Sequence, residues 1–195
     1  VDYRTPSFSF GDISVSATYT YDPNAGSGPA AAGGVAANDY SGDAITAKIS
    51  GMGFTIGAGH ETAASGADGT TGSADAERAT GYILYSNGPV SIGYQEMSQN
   101  TANLGDNTTQ APDVTGDGMA IAFSQDNLSF SYAEVTEQVS KISATTQEYE
   151  TEMTALQATY TMGAMTLGMS MYETDNPEGT TGKYEETELS VSFAF

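Results

Sequence analysis

Two cations stand among hydroxyl-bearing residues: Arg4 in "YRTPSF" and Lys48 in "AITAKIS". Fixed positive charge beside Ser and Thr orients and attracts anions; it performs no covalent chemistry by itself. His60, in "GAGHET", is the single histidine, and the chain has no Cys. It has no second imidazole or thiolate with which to hold a metal, and no nucleophile motif flanks it, so it reads as a rim or interfacial residue and not as a catalytic base. The remaining ionisable chemistry is acidic. Twenty-five Asp and Glu face five Lys and Arg, for a net charge of -20. Such a chain lacks the basic patches that neutralise phosphates, which excludes nucleic acid as a partner.

Most of these carboxylates fall in or beside long polar segments. Asp39, Asp43, Asp113, Asp117, Glu148, Glu150 and Glu185 form the expected acidic rim. Their summed potential concentrates cations and repels anions, and salt screens it. "DVTGDG" (113–118) lacks the ligand spacing and closing Glu of an EF-hand loop, so Ca²⁺ or Mg²⁺ is expected only as a loosely held ion, with no true cofactor.

The elements that position these groups are strands. Apolar residues recur with period two along nearly the whole chain, and no run reaches the ~18 apolar residues of a membrane helix. Eleven strands are expected at 1–10, 12–22, 43–50, 53–61, 79–86, 89–98, 117–125, 127–137, 152–162, 164–174 and 185–195. Short Gly- and Asn-containing turns ("GD", "GMG", "NGP", "DN", "GA") alternate without exception with long loops at 23–42, 62–78, 99–116, 138–151 and 175–184. In a meander, every second connection lies at the same end. One end of the sheet therefore carries tight turns and the other carries the polar loops, which is the arrangement of a membrane barrel.

The strand faces point the same way. Ile13, Val15, Ala17, Tyr19 and Tyr21 alternate with Ser14, Ser16, Thr18 and Thr20. Met165, Leu167, Met169 and Met171 alternate with Thr166, Gly168, Ser170 and Tyr172. A soluble barrel fills its inside with bulk and studs its outside with charge. Here one face is greasy, the other is small and hydroxylated, and strand centres carry few charges. Apolar side chains toward lipid and hydroxyls toward water account for this. Lys48 shares the Thr46 and Ser50 face, so it is expected in the lumen. Met153, Met162, Met165, Met169 and Met171 read as lipid- or subunit-facing filler, and Tyr19, Tyr21, Tyr94, Tyr132 and Tyr172 as an aromatic girdle toward the long loops.

Two stretches carry a family resemblance. The closing "ELSVSFAF", with Leu189, Val191, Phe193 and Phe195 on one face, resembles the C-terminal strand by which outer-membrane barrels are recognised for insertion. The opening "VDYRTPSFSFGDISVSATYTY" is similar to the stretch that follows the constriction loop in general porins of Gram-negative bacteria, and the acidic, Lys-poor style is closest to the alphaproteobacterial type. The resemblance implies an all-β transmembrane, antiparallel up-and-down β-barrel, with 1–195 as one barrel domain. If the family's sixteen strands hold, the chain supplies strands six to sixteen, and the first five strands and the constriction loop precede Val1. It further implies an outer-membrane location, contact with lipid and lipopolysaccharide, a homotrimer, and passive diffusion of small hydrophilic solutes and ions without enzymatic chemistry. Arg4 then matches a pore-facing basic residue. Ser14, Ser16, Thr18, Thr46, Thr166, Ser190 and Ser192 line the pore with Arg4 and Lys48. The other reading is a structural barrel, or a surface adhesin or receptor, with no channel activity.

Overall fold

Alternating side chains and tight turns fold the chain into a single antiparallel sheet. The computed structural model describes residues 1–22, 41–63, 76–100, 113–140 and 148–194. It contains β1 (Asp2–Arg4), β2 (Phe8–Phe10), β3 (Ile13–Asp22), β4 (Gly42–Gly51), β5 (Phe54–Ala63), β6 (Ala76–Asn87), β7 (Val90–Asn100), β8 (Val114–Gln125), β9 (Leu128–Val139), β10 (Tyr149–Met162), β11 (Met165–Asp175) and β12 (Lys183–Phe193). The spatial order is β1, β3, β4 and onward to β12, with β2 also paired to β3. Every strand from β3 pairs with its sequence neighbour and nothing crosses over, which is the up-and-down pattern expected. The sheet does not close on itself. Among the described residues no helix is long and apolar enough to cross a membrane, a statement that leaves strands untouched.

The five short turns are two-residue hairpins. Gly11, Gly88 and Gly163 take positive φ at the first turn position (63°, 57° and 60°), and Asp126 does so without being a glycine (53°). Met52 and Gly53 are both positive, at 51° and 83°. These are the primed turns whose twist matches that of the flanking strands.

The expected strand 1–10 is two strands, so the element count is twelve and not eleven. Arg4 pairs with Thr18, but Phe8 pairs with Val15. Three residues (5–7) thus face two (16–17), a one-residue bulge at Pro6, which has no N–H to give the ladder. Thr5 repairs the break. Its N–H donates to the Ala17 carbonyl at 2.9 Å, its Oγ1 donates to the same oxygen at 3.1 Å, and Ala17 N–H donates to Oγ1 at 2.9 Å. The bulge also changes parity. Without it Arg4 and Phe8 would share a face; with it Arg4 joins the Thr18 side while Phe8 and Phe10 join Val15 and Ile13.

The strands are longer at their long-loop ends than the apolar pattern suggests. β10 runs for 14 residues and β8 and β9 for 12 each, beyond the ~9–11 that a tilted strand needs to cross a bilayer. Glu150, expected in a loop, therefore lies inside β10, and Asp43, Asp117 and Glu185, expected at strand ends, lie one to three residues inside theirs. Backbone pairing does not itself require apolar side chains, so the ladder outlasts the greasy stripe.

The described residues form no dry core. Among the described residues the buried apolar side chain is Val139 (4% exposed) and the buried polar one is Thr151 (7%), whereas Leu189 is 77% and Phe193 59% exposed. A sheet in water does not leave so much large apolar surface uncovered.

Candidate functional site

The ladder register assigns each residue to one of two surfaces. Starting from Lys48, direct partners run Ser16, Lys48, Gly57, Tyr82, Gln95, Gly118 and Val135. One step away along the strand run Thr18, Thr46, Gly59 and Thr80. Toward the tight turns come Ser124–Ser129–Thr159–Gly168–Ser190 and Thr161–Thr166–Ser192. These rows make one polar face. It contains the hydroxyl residues named from sequence: Ser14, Ser16, Thr18, Thr46, Thr166, Ser190 and Ser192.

Hydroxyls on this face meet directly across strands. Ser86 and Ser91 share a hydrogen bond of 2.9 Å, Ser124 and Ser129 one of 3.0 Å, and Thr161 and Thr166 one of 3.1 Å. Thr18 and Thr46 are likewise bonded. Each Ser or Thr keeps further hydrogen-bonding capacity, which only water or a polar solute can satisfy. A face so built would be costly against hydrocarbon.

Arg4 and Lys48 come together here. With Ser16, Thr18, Thr46 and Tyr82 they line a concavity of about 510 Å³ on the polar face. Both cations are exposed. The Tyr82 ring lies over Gly57; a Cβ on Gly57 would sit 2.3 Å from it. Glycine is needed at that point because the ring occupies the space of a side chain.

The polar face holds charges that the sequence reading passed over. Arg78 lies 3.7 Å from Glu61 and donates from Nε to Gln99 at 3.3 Å. Arg78 is five positions from Ile83, so parity counted back from that residue would have found it. With Arg4 and Lys48, the three described cations of this face lie on β1, β4 and β6. Glu137 on β9, and Glu186 and Glu188 on β12, share the face through their partners Thr151, Tyr172 and Ser170. The three cations thus lie toward the β1 end of the strand order, where Asp2 and Glu61 share the face with them, while toward the β12 end the face carries Glu137, Glu186 and Glu188.

The opposite face carries Val15–Ile49–Ile56–Ile83–Tyr94–Met119 in one run of partners and Tyr160–Leu167–Val191 in another. Leu189, Val191 and Phe193 face Met169, Leu167 and Met165 within it. Phe195 and Asp39 lie outside the described residues. His60 belongs to this apolar face, between Ile45 and Ala79. Two expectations need correction. Met153 pairs with Val135 and Thr174 on the polar face, so it is not lipid-facing filler. Tyr172 is also on the polar face and accepts a 2.8 Å hydrogen bond from Gln157, so it is not part of an outer girdle. The even parity of 172 against Met165–Met171 already implied this.

The acidic rim divides by register. Asp43, Asp117, Glu150 and Glu185 share the apolar face's parity, beyond its greasy part; Glu185 and Glu173 both contact Lys183, at 3.3 and 2.6 Å. Tyr94 and Tyr132 mark the boundary, donating to Glu96 at 2.8 Å and Glu134 at 2.9 Å. Asp113 and Glu148 stand just before β8 and β10. At that end of the polar face, residues 177–179 form a 3₁₀ turn against β10. Thr151 Oγ1 donates to the Asn176 carbonyl at 2.9 Å, and Gly179 packs on the Tyr149 ring.

No protein-family profile matches the chain, and no curated protein does. Its structure is similar to that of a porin refined at 1.8 Å, with a TM-score of 0.63 and 17% identity. The fold is porin-like. The match covers 97% of this chain and 60% of that one, so the chain spans about 60% of the porin's length. This chain's contribution to that likeness is its antiparallel up-and-down sheet.

Proposed function

We propose that this chain is the larger part of the wall of an outer-membrane porin, a water-filled channel for passive diffusion of small hydrophilic solutes. The observation that carries the reading is the polarity of the sheet: paired hydroxyls, Arg4 and Lys48 on one face, an unbroken apolar band on the other. The polar face meets the water column. Selectivity follows from its charges: Arg4 and Lys48, with Arg78 paired to Glu61, lie toward the β1 end, and Glu137, Glu186 and Glu188 toward the β12 end. The net charge of -20 favours cations at the mouth. The chain acts by sieving and not by catalysis.

The resemblance of the opening and closing stretches supports further parts of this reading. The protein belongs to the alphaproteobacterial general porins, residues 1–195 form one barrel domain within sixteen strands, and the assembly is a homotrimer in the Gram-negative outer membrane. Its neighbours there are lipid and lipopolysaccharide, and Ca²⁺ or Mg²⁺ associates loosely with the acidic loops.

Planar-bilayer recording tests the function. Stepwise conductance is expected, with a reversal potential that favours K⁺ over Cl⁻ at low salt and less so at high salt. Lys48→Glu raises the cation preference. Insertion without conductance steps would remove the channel and leave a structural barrel or receptor.

A further inference from the structure

The outer surface of β6–β9 is not smooth. At the level of the apolar band, Phe54, Ile83, Ile92, Met119, Ile121 and Tyr132 surround a wholly apolar slot of about 530 Å³. Phe54 and Tyr85 close one side, their rings 4.4 Å apart. Directly beyond it, toward the long loops, lies a second depression of about 380 Å³. Its floor is small because Ala79, Gly81, Ser98 and Thr115 project little; the space over Gly81 is empty to 4 Å. Glu96 and Asp117 stand beside it as direct cross-strand partners. The two hollows adjoin along three strands, two residues apart each time: Gly81 to Ile83, Tyr94 to Glu96, Asp117 to Met119.

We propose that this continuous groove holds one lipid, with an acyl chain in the slot and an ammonium-bearing headgroup against Glu96 and Asp117. The inference rests on the reading that the apolar face meets lipid. Charge selects the occupant. Two carboxylates side by side repel each other and any phosphate brought between them, whereas an ammonium relieves both. Tyr94, bonded to Glu96, sits where slot and depression meet, the position of an interfacial tyrosine. A second copy of the chain has little to offer this site. Of its five basic residues, Arg4, Lys48 and Arg78 lie on the polar face, Lys183 is held by Glu173 and Glu185, and Lys141 is outside the described residues.

The chain has no Trp, so a single introduced one reports its own surroundings. Phe54→Trp places the reporter at the slot and Leu167→Trp places it on distant apolar surface. Each variant is reconstituted in equimolar phosphatidylethanolamine and phosphatidylglycerol, with dibromo acyl chains on one lipid at a time. The F54W protein should be quenched about two- to fivefold more strongly by the ethanolamine lipid, the range expected for partly exposed ion pairs. The L167W protein should show no preference. Glu96→Gln with Asp117→Asn should abolish the preference in F54W, and Gly81→Leu, whose side chain meets open space, should do so by filling the depression. Equal quenching by both lipids at the slot overturns the lipid site and leaves the membrane reading intact. A preference for phosphatidylglycerol that EDTA removes overturns it in favour of an anionic lipid bridged by a divalent cation. Absence of quenching at both reporters overturns the site together with the membrane reading beneath it.

Discussion

The half of each strand near the tight turns and the half near the long loops obey different rules. In the first, one side is apolar and the other hydroxylated, row after row: Leu167 and Val191 against Thr166 and Ser192. In the second, both sides are polar: Glu173 and Glu185 on one, Thr174 and Tyr184 on the other. The ladder itself is continuous through both halves. Backbone pairing is thus the common scaffold, and side-chain polarity records the medium that each level meets. On the proposed porin reading, the apolar band, not the strand, measures the membrane.

Charge placed at the two levels should separate them most sharply. Leu167→Lys in the band is expected to cost about 2–4 kcal/mol in unfolding from vesicles, while Glu173→Lys, on the same face three positions along the neighbouring rows, should shift the urea midpoint little. Equal effects at both sites would erase the distinction between the halves. A smaller loss, about 1–3 kcal/mol, is expected from Gly57→Val, because the new side chain takes the place of the Tyr82 ring. Adding Tyr82→Ala should recover part of it, and a calorimetric or denaturant series with the double variant measures the coupling. The smallest effect concerns the bulge at Pro6, where the alternation is kept by an irregularity. Thr5→Val removes the hydroxyl that bonds to Ala17 and should cost about 1 kcal/mol. The same measurement on Thr161→Val, away from the bulge, should show less if the hydroxyl at position 5 has a special role.

The meander, the turn positions and the face of nearly every strand residue were legible in the sequence, because period two and Gly-Asp-Asn punctuation are local signals. Lys48 could be assigned a side from its neighbours alone. Arg4 could not, since its side depends on how residues 5–7 pair with 16–17, and pairing is a property of two strands at once. The overhang of β8, β9 and β10 was hidden for a related reason: outside the apolar band, strand and loop compositions converge. The turn at 177–179 rests on left-handed Asn176 and Glu178 (φ 50° and 54°) and on a contact with Tyr149, neither of which leaves a periodic trace. The sharing of one face by the cations of β1, β4 and β6 and the acids of β9 and β12 emerged only when parity was carried through the register from strand to strand.

The long ladders have a mechanical consequence. On the apolar face of β10 the last large apolar residue toward the long loops is Leu156, yet pairing continues to Tyr149. With ~3.3 Å per residue and a typical barrel tilt, the seven steps raise a stiff parapet roughly 15–20 Å above the greasy belt. The carboxylates it bears are anchored by main-chain ladders and do not swing on slack tethers, so an approaching ion meets a lattice of charge whose spacing is set before it arrives.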